Sequence, residues 1–466
     1  MDAELRDLDE AADTIWDLAA RMGLDPFPTH FEIVPASIMY EFGAYGLPGR
    51  FSHWTHGKAY HRTKMMYDYG LSKIYELVIN SNPCYAFLLE GNPKVQNKLV
   101  IAHVLAHCDF FKNNVYFKHT NRQMIEGASV NADRIRRYEF QYGKLEVEEF
   151  LDSVLAIQEH IDPNLFVKRK PREDVEKEAR PRPEGPFDDL RTAEEQRRDQ
   201  PTKKESKFPE VPEKDLLLFI AQNAAGLQDW HRDVIQIVRN EMLYFLPQMQ
   251  TKIMNEGWAS FWHARMMREL DLSSHEYLEF AELHANVVSP SRMGINPYYV
   301  GMKIFEDIEK RWDNPTDEER QKFGRKGGEG RQKIFEAREL ENDVSFLRTY
   351  LTKQLVDDLD LYVYKLEGEE WKVVESDWEK IRDSLVVSMT NFGNPYIVIE
   401  DADYRRNREL YLKHSFEGIE LDLEYAEKTL RHVYRLWGRT VHLETVVDNS
   451  KVVMAFDGEK NTTQKA

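Results

Sequence analysis

Apolar residues recur at helical spacing along most of the chain, which predicts a mainly α-helical N-terminal and middle region. Residues 1–23 have the pattern of an acidic amphipathic helix, and helical periodicity returns from Asn92 to His160. Between residues 167 and 215 the pattern gives way to Lys, Arg, Glu, Asp and Pro, a composition typical of a solvated linker or mobile insertion. It resumes at Leu216, is interrupted at Pro247 and continues to Trp312, and Ser273 with Glu276 forms a predicted capping box at the start of one helix. We therefore expect one α-rich unit interrupted by a charged segment.

Short apolar segments of strand length dominate the chain after Leu361 and alternate with two helical segments. The predicted strands cover residues 361–366, 371–374, 396–400, 409–414, 441–447 and 452–456, and the predicted helices cover 377–389 and 421–437. This order predicts a small α+β module, with two helices on one antiparallel sheet, that folds on its own. It carries no catalytic constellation, so we expect it to dock an unidentified protein partner.

The whole chain is thus predicted to be of the α+β class and to have four parts. They are a helical N-terminal part at 1–166, the charged linker or insertion at 167–215, a second helical part at 216–335 and the α+β C-terminal module at 336–466.

Composition excludes several classes of function. The 466 residues carry a net charge of −18, which argues against a general nucleic-acid or anionic-membrane binder, because such proteins need basic surfaces. The sequence shows neither a run of apolar residues long enough to span a membrane nor a signal-peptide pattern. Cys84 and Cys108 are the only cysteines, and they belong to no CxxC pair. We expect reduced thiols and a cytoplasmic protein. The sequence carries no indication of oligomeric state.

Two stretches combine histidine and glutamate at helical spacing. His103 and His107 stand four positions apart, so both rings lie on one helical face and can bind one ion. Glu256 and His263 lie two turns apart on an otherwise apolar segment. A buried glutamate needs a partner, and two histidines with one glutamate would make a three-ligand site for catalytic zinc or non-haem iron. The alternative is two hydrogen-bonded core histidines and a glutamate paired with an arginine.

Other histidines offer candidates of lower specificity. His53, His56 and His61 are predicted to lie in a loop, either packed on its own aromatic residues or forming a wall of the site. His160 is a candidate extra ligand or a capping residue.

Several long strings resemble the SpoVR family, stage V sporulation protein R. The quoted strings are Phe51–Trp54 (FSHW), Leu71–Asn80 (LSKIYELVIN), His103–His107 (HVLAH), Phe110–Asn114 (FFKNN), Asn255–Ala259 (NEGWA) and Asn296–Tyr298 (NPY). The resemblance covers essentially the whole chain. It implies a cytoplasmic protein of a spore-forming bacterium that is required for building the spore cortex, and it names no reaction.

A local resemblance to gluzincin metallopeptidases supplies chemistry. These enzymes bind zinc through H-E-x-x-H and the glutamate of N-E-G-F-A-S, and Asn255–Ser260 is similar to the second string. The resemblance implies His103 and His107 as paired ligands and Glu256 as the third. Val104 stands where the family has its general-base glutamate, and the spacing to Glu256 is much longer than in those enzymes.

Without a glutamate at position 104, another group must take the proton in a hydrolysis. The candidates are His263, His284 and Glu159. His284 and Tyr298 are alternative donors to a developing oxyanion, as the gluzincin resemblance implies.

Three hypotheses follow from these patterns. The first is a metal-dependent hydrolase acting on peptide or peptidoglycan-related amides, with a divalent cation, zinc before iron. The second is a non-catalytic regulator or scaffold with a structural or degenerate metal site. The third is a two-His-one-carboxylate iron enzyme.

Overall fold

The computed structural model describes residues 3–69, 76–164, 207–290, 294–367 and 370–465. The chain forms two compact units, one made of residues 1–136 with 244–393 and the other of residues 137–243 with 394–466. The class is α+β, as the sequence predicts. Most of the predicted linker, residues 167–206, lies outside the described residues.

Helices make up most of the first unit and part of the second. Up to the linker they are α1 (Ala3–Arg21), α2 (Ala36–Tyr45), α3 (Trp54–Asp68), α4 (Lys94–Asn113), α5 (Met124–Tyr142) and α6 (Lys144–Leu155). After it they are α7 (Leu216–Asn223), α8 (Asp229–Gln250), α9 (Lys252–Glu269), α10 (Ser274–Val287), α11 (Pro297–Asp313), α12 (Asp317–Phe323), α13 (Gly330–Leu340), α14 (Asp343–Tyr350), α15 (Lys353–Asp358), α16 (Trp378–Met389) and α17 (Leu423–Trp437).

The strands form three sheets. They are β1 (Thr29–Val34), β2 (Glu76–Ile79), β3 (Cys84–Leu89), β4 (Val363–Glu367), β5 (Glu370–Glu375), β6 (Ile397–Tyr404), β7 (Glu409–His414), β8 (Val441–Val447), β9 (Ser450–Phe456) and β10 (Asn461–Lys465). The first sheet has the order β1-β3-β2, β4 and β5 form a hairpin, and the last sheet has the order β10-β9-β8-β7-β6. In the last sheet β7 and β8 run parallel, and the other pairs are antiparallel.

The C-terminal architecture differs from the sequence prediction in three ways. The hairpin β4–β5 is separate from the five-stranded sheet, which contains one parallel pair and an additional strand, β10. Helix α16 belongs to the first unit. The five-stranded sheet shares the second unit with residues 137–243. The predicted boundaries at 166, 215 and 335 therefore do not coincide with this division of the chain.

Two other local predictions are wrong. The His53–His61 stretch is helical, because the His53 side chain caps α3 and accepts the backbone N–H of Thr55. Pro247 does not interrupt its helix, since α8 extends past it to Gln250. The capping box of Ser273 and Glu276 is confirmed at the start of α10.

The core of the first unit is built on two helices that are buried on all sides, α4 and α9. Helix α9 is fixed at its first turn by Asp343, whose carboxylate accepts the backbone N–H groups of Ile253 and Met254, both at 2.9 Å. A helix that buries its whole circumference presents every side chain to protein rather than to water. The polar residues of α4 and α9 must therefore find partners inside the unit.

A glycine pair brings α9 and α11 into backbone contact. A Cβ atom on Gly257 would lie 2.4 Å from the backbone of Gly301, and a Cβ atom on Gly301 would lie 2.1 Å from the carbonyl oxygen of Ile253. Only glycine fits this crossing at both positions. The contact holds the first turn of α11, which carries Tyr298, beside Glu256.

Across the described part of the chain, none of the helices combines the length and apolar character that crossing a bilayer requires.

Candidate metal centre

The structure brings His103, His107 and Glu256 together, although their positions are far apart in the sequence. The Nε2 atoms of His103 and His107 lie 3.5 and 3.4 Å from the same oxygen, Oε2 of Glu256. All three side chains are at least nine-tenths buried. No other group of three His, Cys, Asp or Glu side chains among the described residues is close enough to hold one ion.

Hydrogen bonds orient both imidazoles from behind. The Nδ1 atom of His107 lies 2.9 Å from Oδ1 of Asn255, so that nitrogen donates to the amide oxygen. The Nδ1 atom of His103 lies 2.8 Å from Nδ1 of His263, and Nε2 of His263 lies 2.9 Å from Nδ1 of His284. These three histidines form a hydrogen-bonded row. If His103 donates from Nδ1 to His263, and His263 donates from Nε2 to His284, then Nε2 of His103 keeps its lone pair. Such partners behind a ligating histidine fix its tautomer and ring orientation.

The atoms that face one another in the centre are all acceptors in this arrangement. Burial, and then the neighbouring His107, lower the pKa of His103 to about 4, so the ring is neutral at pH 7. Burial raises the pKa of Glu256, whereas the charge of Lys252 beside it lowers that pKa. Among the described residues, neither Nε2 of His103 nor Oε2 of Glu256 has a hydrogen-bond partner. In this tautomer a carboxylate faces two imidazole lone pairs, an arrangement that a cation between them would stabilise.

The spacing of these atoms fits a metal ion. Ligands at about 2.0–2.1 Å around a tetrahedral ion lie about 3.4 Å apart, close to both separations in the structure. Imidazole nitrogen and carboxylate oxygen are the donors that zinc and non-haem iron accept. The three residues therefore fit a divalent metal, and they would leave further coordination positions open.

Three polar side chains surround the ligands. Lys252 binds the other oxygen of Glu256, with Nζ 2.6 Å from Oε1, which leaves Oε2 directed at the histidines. The ring of Tyr298 stacks on His103, with centroids 5.9 Å apart. Burial and the carboxylates of Glu256 and Glu76 raise the pKa of Tyr298, so its hydroxyl stays protonated. Burial and Glu256 raise the pKa of Glu76 to about 7.

Comparison with known sequences identifies the family. The family model described as "SpoVR like protein" matches residues 2–394, and the model "SpoVR-like C-terminal domain" matches residues 395–448. The chain belongs to the SpoVR family. The two models meet next to the boundary between the structural units at residues 393 and 394. Membership supports a sporulation-associated protein.

A SpoVR-family relative has been found in Escherichia coli, with the name "Uncharacterized protein YcgB". It is 31% identical over 457 residues, which cover 90% of this chain and 88% of the relative. No solved structure matches the chain. The relative's name gives no reaction, so the chemistry of this SpoVR-family chain has to be argued from its own residues.

The residues predicted for catalysis occupy different positions around the centre. Tyr298 contacts His103 directly. His263 lies behind His103, and His284 lies behind His263 as the outer, half-buried member of the histidine chain. Burial, and then the neighbouring imidazoles, lower the pKa of His263 far below its usual value. These two histidines are placed to position a ligand.

The remaining sequence candidates lie elsewhere. Glu159 and His160 belong to the second unit, and the ligands belong to the first. His53 and His56 pack within their own segment, where Nδ1 of His53 bonds the Thr55 hydroxyl at 2.7 Å and Nδ1 of His56 bonds the Phe51 carbonyl oxygen at 3.2 Å. These contacts agree with packing on the local aromatic residues, and His61 is exposed.

Sequence reasoning missed Glu76 and Lys252. Glu76 is the first residue of β2 and the only charged residue in a strand that reads Glu-Leu-Val-Ile. An isolated acidic residue in an apolar strand is a signal that could have been noticed. Lys252 stands one helical turn before Glu256, so the i,i+4 spacing could have predicted their ion pair.

Proposed function

We propose that this protein is a metal-dependent hydrolase of the spore-forming programme. In this proposal His103, His107 and Glu256 hold a divalent cation, zinc before iron, and the substrate is an amide of a peptide or of peptidoglycan made during cortex formation. The observation that supports it is that two buried imidazole nitrogens lie 3.5 and 3.4 Å from one buried carboxylate oxygen, the spacing of ligands around a tetrahedral ion. The gluzincin resemblance of Asn255–Ser260 adds the reaction class.

Each neighbouring residue has a distinct task in this proposal. A zinc ion bound here would polarise a substrate carbonyl and lower the pKa of water. Asn255 and His263 hold the ligating imidazoles in place, and Lys252 fixes the carboxylate of Glu256. The protonated hydroxyl of Tyr298 is a donor for a developing oxyanion, because such a donor must keep its proton at neutral pH.

Glu76 is our candidate for the general base that Val104 cannot supply. It interacts electrostatically with Glu256, His107 and Lys252, yet it lies outside the three-residue ligand group. A base near the ligands but not bound to the ion can accept a proton during hydrolysis. Its pKa of about 7 suits that task at neutral pH.

A structural metal site is the second candidate function. The extensive burial of the three ligands favours it, because a structural ion needs no access for substrate. The ion would tie α4 to α9, and the protein would act as a regulator or scaffold whose C-terminal module binds a partner. A two-His-one-carboxylate iron enzyme would use the same ligands.

The experiment compares three glutamate variants of the full chain. Glu256→Gln should lose both metal and hydrolysis of a panel of peptide and muropeptide amides. Glu76→Gln should keep the metal and lose hydrolysis by about 10²–10⁴-fold, the usual contribution of a general base. Glu159→Gln, in the second unit, is the matched control and should keep both.

A small hydroxamic acid separates the enzyme from the scaffold, because it binds a metal only through an open coordination position. If the protein is a hydrolase, the hydroxamate should raise the melting temperature of the metal-loaded parent and of Glu76→Gln, but not of Glu256→Gln. A full metal complement together with no hydroxamate shift and no hydrolysis would contradict the enzyme and support the structural site.

A further inference from the structure

The two cysteines of the chain lie side by side in the core of the first unit. Cys84 is the first residue of β3, and Cys108 lies on α4; both side chains are fully buried. One residue, Thr29, contacts both: it pairs with Cys84 in the ladder of β1 and β3, and its hydroxyl donates to Sγ of Cys108. The sequence shows no CxxC pair, so this proximity comes from tertiary folding alone.

Polar groups are directed at both sulfur atoms. The hydroxyl of Thr29 donates to Sγ of Cys108 at 3.2 Å, and Nη2 of Arg122 donates to Sγ of Cys84 at 3.8 Å. The guanidinium of Arg122 lies over the ring of Phe27, 3.4 Å from its centroid, which holds the charge in position. The pKa of Cys84 is lowered, first by its interaction with Cys108 and then by the charge of Arg122. Burial acts in the opposite direction. A cation beside a thiol favours the thiolate, which is the form that attacks an oxidant.

Residues 27–29 hold the two cysteine backbones in one place. The backbone N–H of Cys84 donates to the carbonyl oxygen of Pro28 at 2.9 Å, and the backbone N–H of Phe27 donates to the carbonyl oxygen of Cys108 at 3.4 Å. Thr29 also pairs with Cys84 in the parallel ladder of β1 and β3. The same short segment therefore contacts both cysteines, and the pair is fixed relative to the backbone.

We propose that Cys84 and Cys108 are a redox-active dithiol that closes to an intramolecular disulfide when the protein meets a hydroperoxide. Cys84 sulfur attacks the peroxide, the O–O bond breaks, and Cys84 becomes a sulfenic acid while an alcohol, or water from hydrogen peroxide, leaves. Cys108 sulfur then attacks Cys84 sulfur, the S–O bond breaks and water leaves with the Cys108 proton. The two thiols are oxidised by two electrons in total, and a small dithiol reductant reverses the reaction.

The dithiol is independent of the proposed function, since its chemistry uses neither the metal nor the substrate. Cys108 directly follows His107 on α4, so metal content measured before and after oxidation is a separate readout. A change in metal content on oxidation would show that the two sites are coupled. The disulfide itself is detected separately, by mass spectrometry.

The test uses full-length protein with the metal it carries after purification. It is treated with hydrogen peroxide, quenched in acid, alkylated under denaturing conditions and digested for mass spectrometry. We expect a cross-linked pair of peptides containing Cys84 and Cys108, two hydrogens lighter than the thiol forms, which disappears on treatment with dithiothreitol. Circular dichroism in parallel should show that the protein stays folded.

Variants test the role of Arg122. Arg122→Gln should slow formation of the cross-link severalfold, because it removes the cation that favours the Cys84 thiolate. Arg134→Gln, on α5, is the matched control and should react at the parental rate. Cys84→Ser should give no cross-link and no sulfenic acid at Cys108. The proposal is overturned if both thiols stay reduced until the protein unfolds, or if cross-links form only between chains.

Discussion

At the scale of single residues, the geometry of the candidate metal centre depends on side chains outside the three proposed ligands. Asn255 is hydrogen-bonded to Nδ1 of His107, and His263 to Nδ1 of His103. Lys252 forms an ion pair with Oε1 of Glu256. The other nitrogen or oxygen is left facing the centre. Three flexible side chains are thereby held in one arrangement, which would lower the conformational entropy lost on binding a metal.

Asn255→Ala is predicted to weaken the centre without removing a ligand. His107 loses the acceptor that fixes its tautomer, so zinc affinity should fall by about 10–100-fold, the usual effect of such a partner. Competition with a fluorescent zinc chelator measures this. Asn240→Ala, at an exposed position on α8, is the control; equal affinities in both variants would show that the Asn255 contact is incidental.

His56 makes the stability of the first unit sensitive to acid. Burial, and then the charges of Arg50 and His53, lower its pKa from 6.5 to about 4. The unfolded chain therefore takes up a proton between pH 6.5 and 4 while the folded chain does not, and stability falls as pH falls through that window. His56→Gln should lose less stability than the parent between pH 7 and pH 5 in urea unfolding. Parallel curves for the two proteins would be inconsistent with a buried neutral His56.

At the scale of elements, the sequence predicted helices far better than their packing. The i,i+4 spacing of His103 and His107 is a local property of one helix, and it was sufficient to predict a shared face. The meeting of α4 with α9 depends on the capping of α9 by Asp343 and on the Gly257–Gly301 crossing, which join distant parts of the chain. The strands β1–β3 were largely missed because they are short and because β1 pairs with β3, which lies far along the chain.

The glycine crossing should tolerate no side chain. Gly257→Ala would place a methyl group against the backbone of α11, so we expect a loss of about 1–3 kcal/mol or more in the free energy of unfolding, with displacement of Tyr298. Chemical denaturation measures the loss, and metal affinity reports the displacement. Gly127→Ala, inside α5 with open space around it, is the control and should be neutral or stabilising. Equal stability of the two variants would contradict the tight crossing.

At the scale of the whole molecule, the sequence predicted the class and the family, and each compact unit combines segments that are distant in the chain. The C-terminal sheet is extended by a bridge between Glu213 and Ile399, and α17 contacts α6, where Arg435 binds Glu149 at 2.6 Å and Ser153 binds His432 at 3.2 Å. Hydrophobic periodicity describes each element separately. It holds no information on which distant segment completes a sheet edge or covers a helix.

These contacts predict that the sheet needs the rest of its unit. A fragment of residues 395–466 should melt without a cooperative transition, because it lacks α6 and the bridging strand residue Glu213. Circular dichroism of the fragment and of the full chain makes the comparison. A cooperative melt of the isolated fragment would instead support the autonomous module that the strand pattern suggests.

The central claim is that His103, His107 and Glu256 hold a metal ion, and metal stoichiometry tests it most directly. The full chain, purified without an affinity tag and reconstituted separately with zinc, iron and manganese, should bind about one equivalent of at least one of them, measured by elemental analysis. His107→Ala should bind far less under the same conditions, and a chelator should lower the melting temperature of the parent but not of the variant. A stoichiometry near zero in the parent with all three metals would contradict the account.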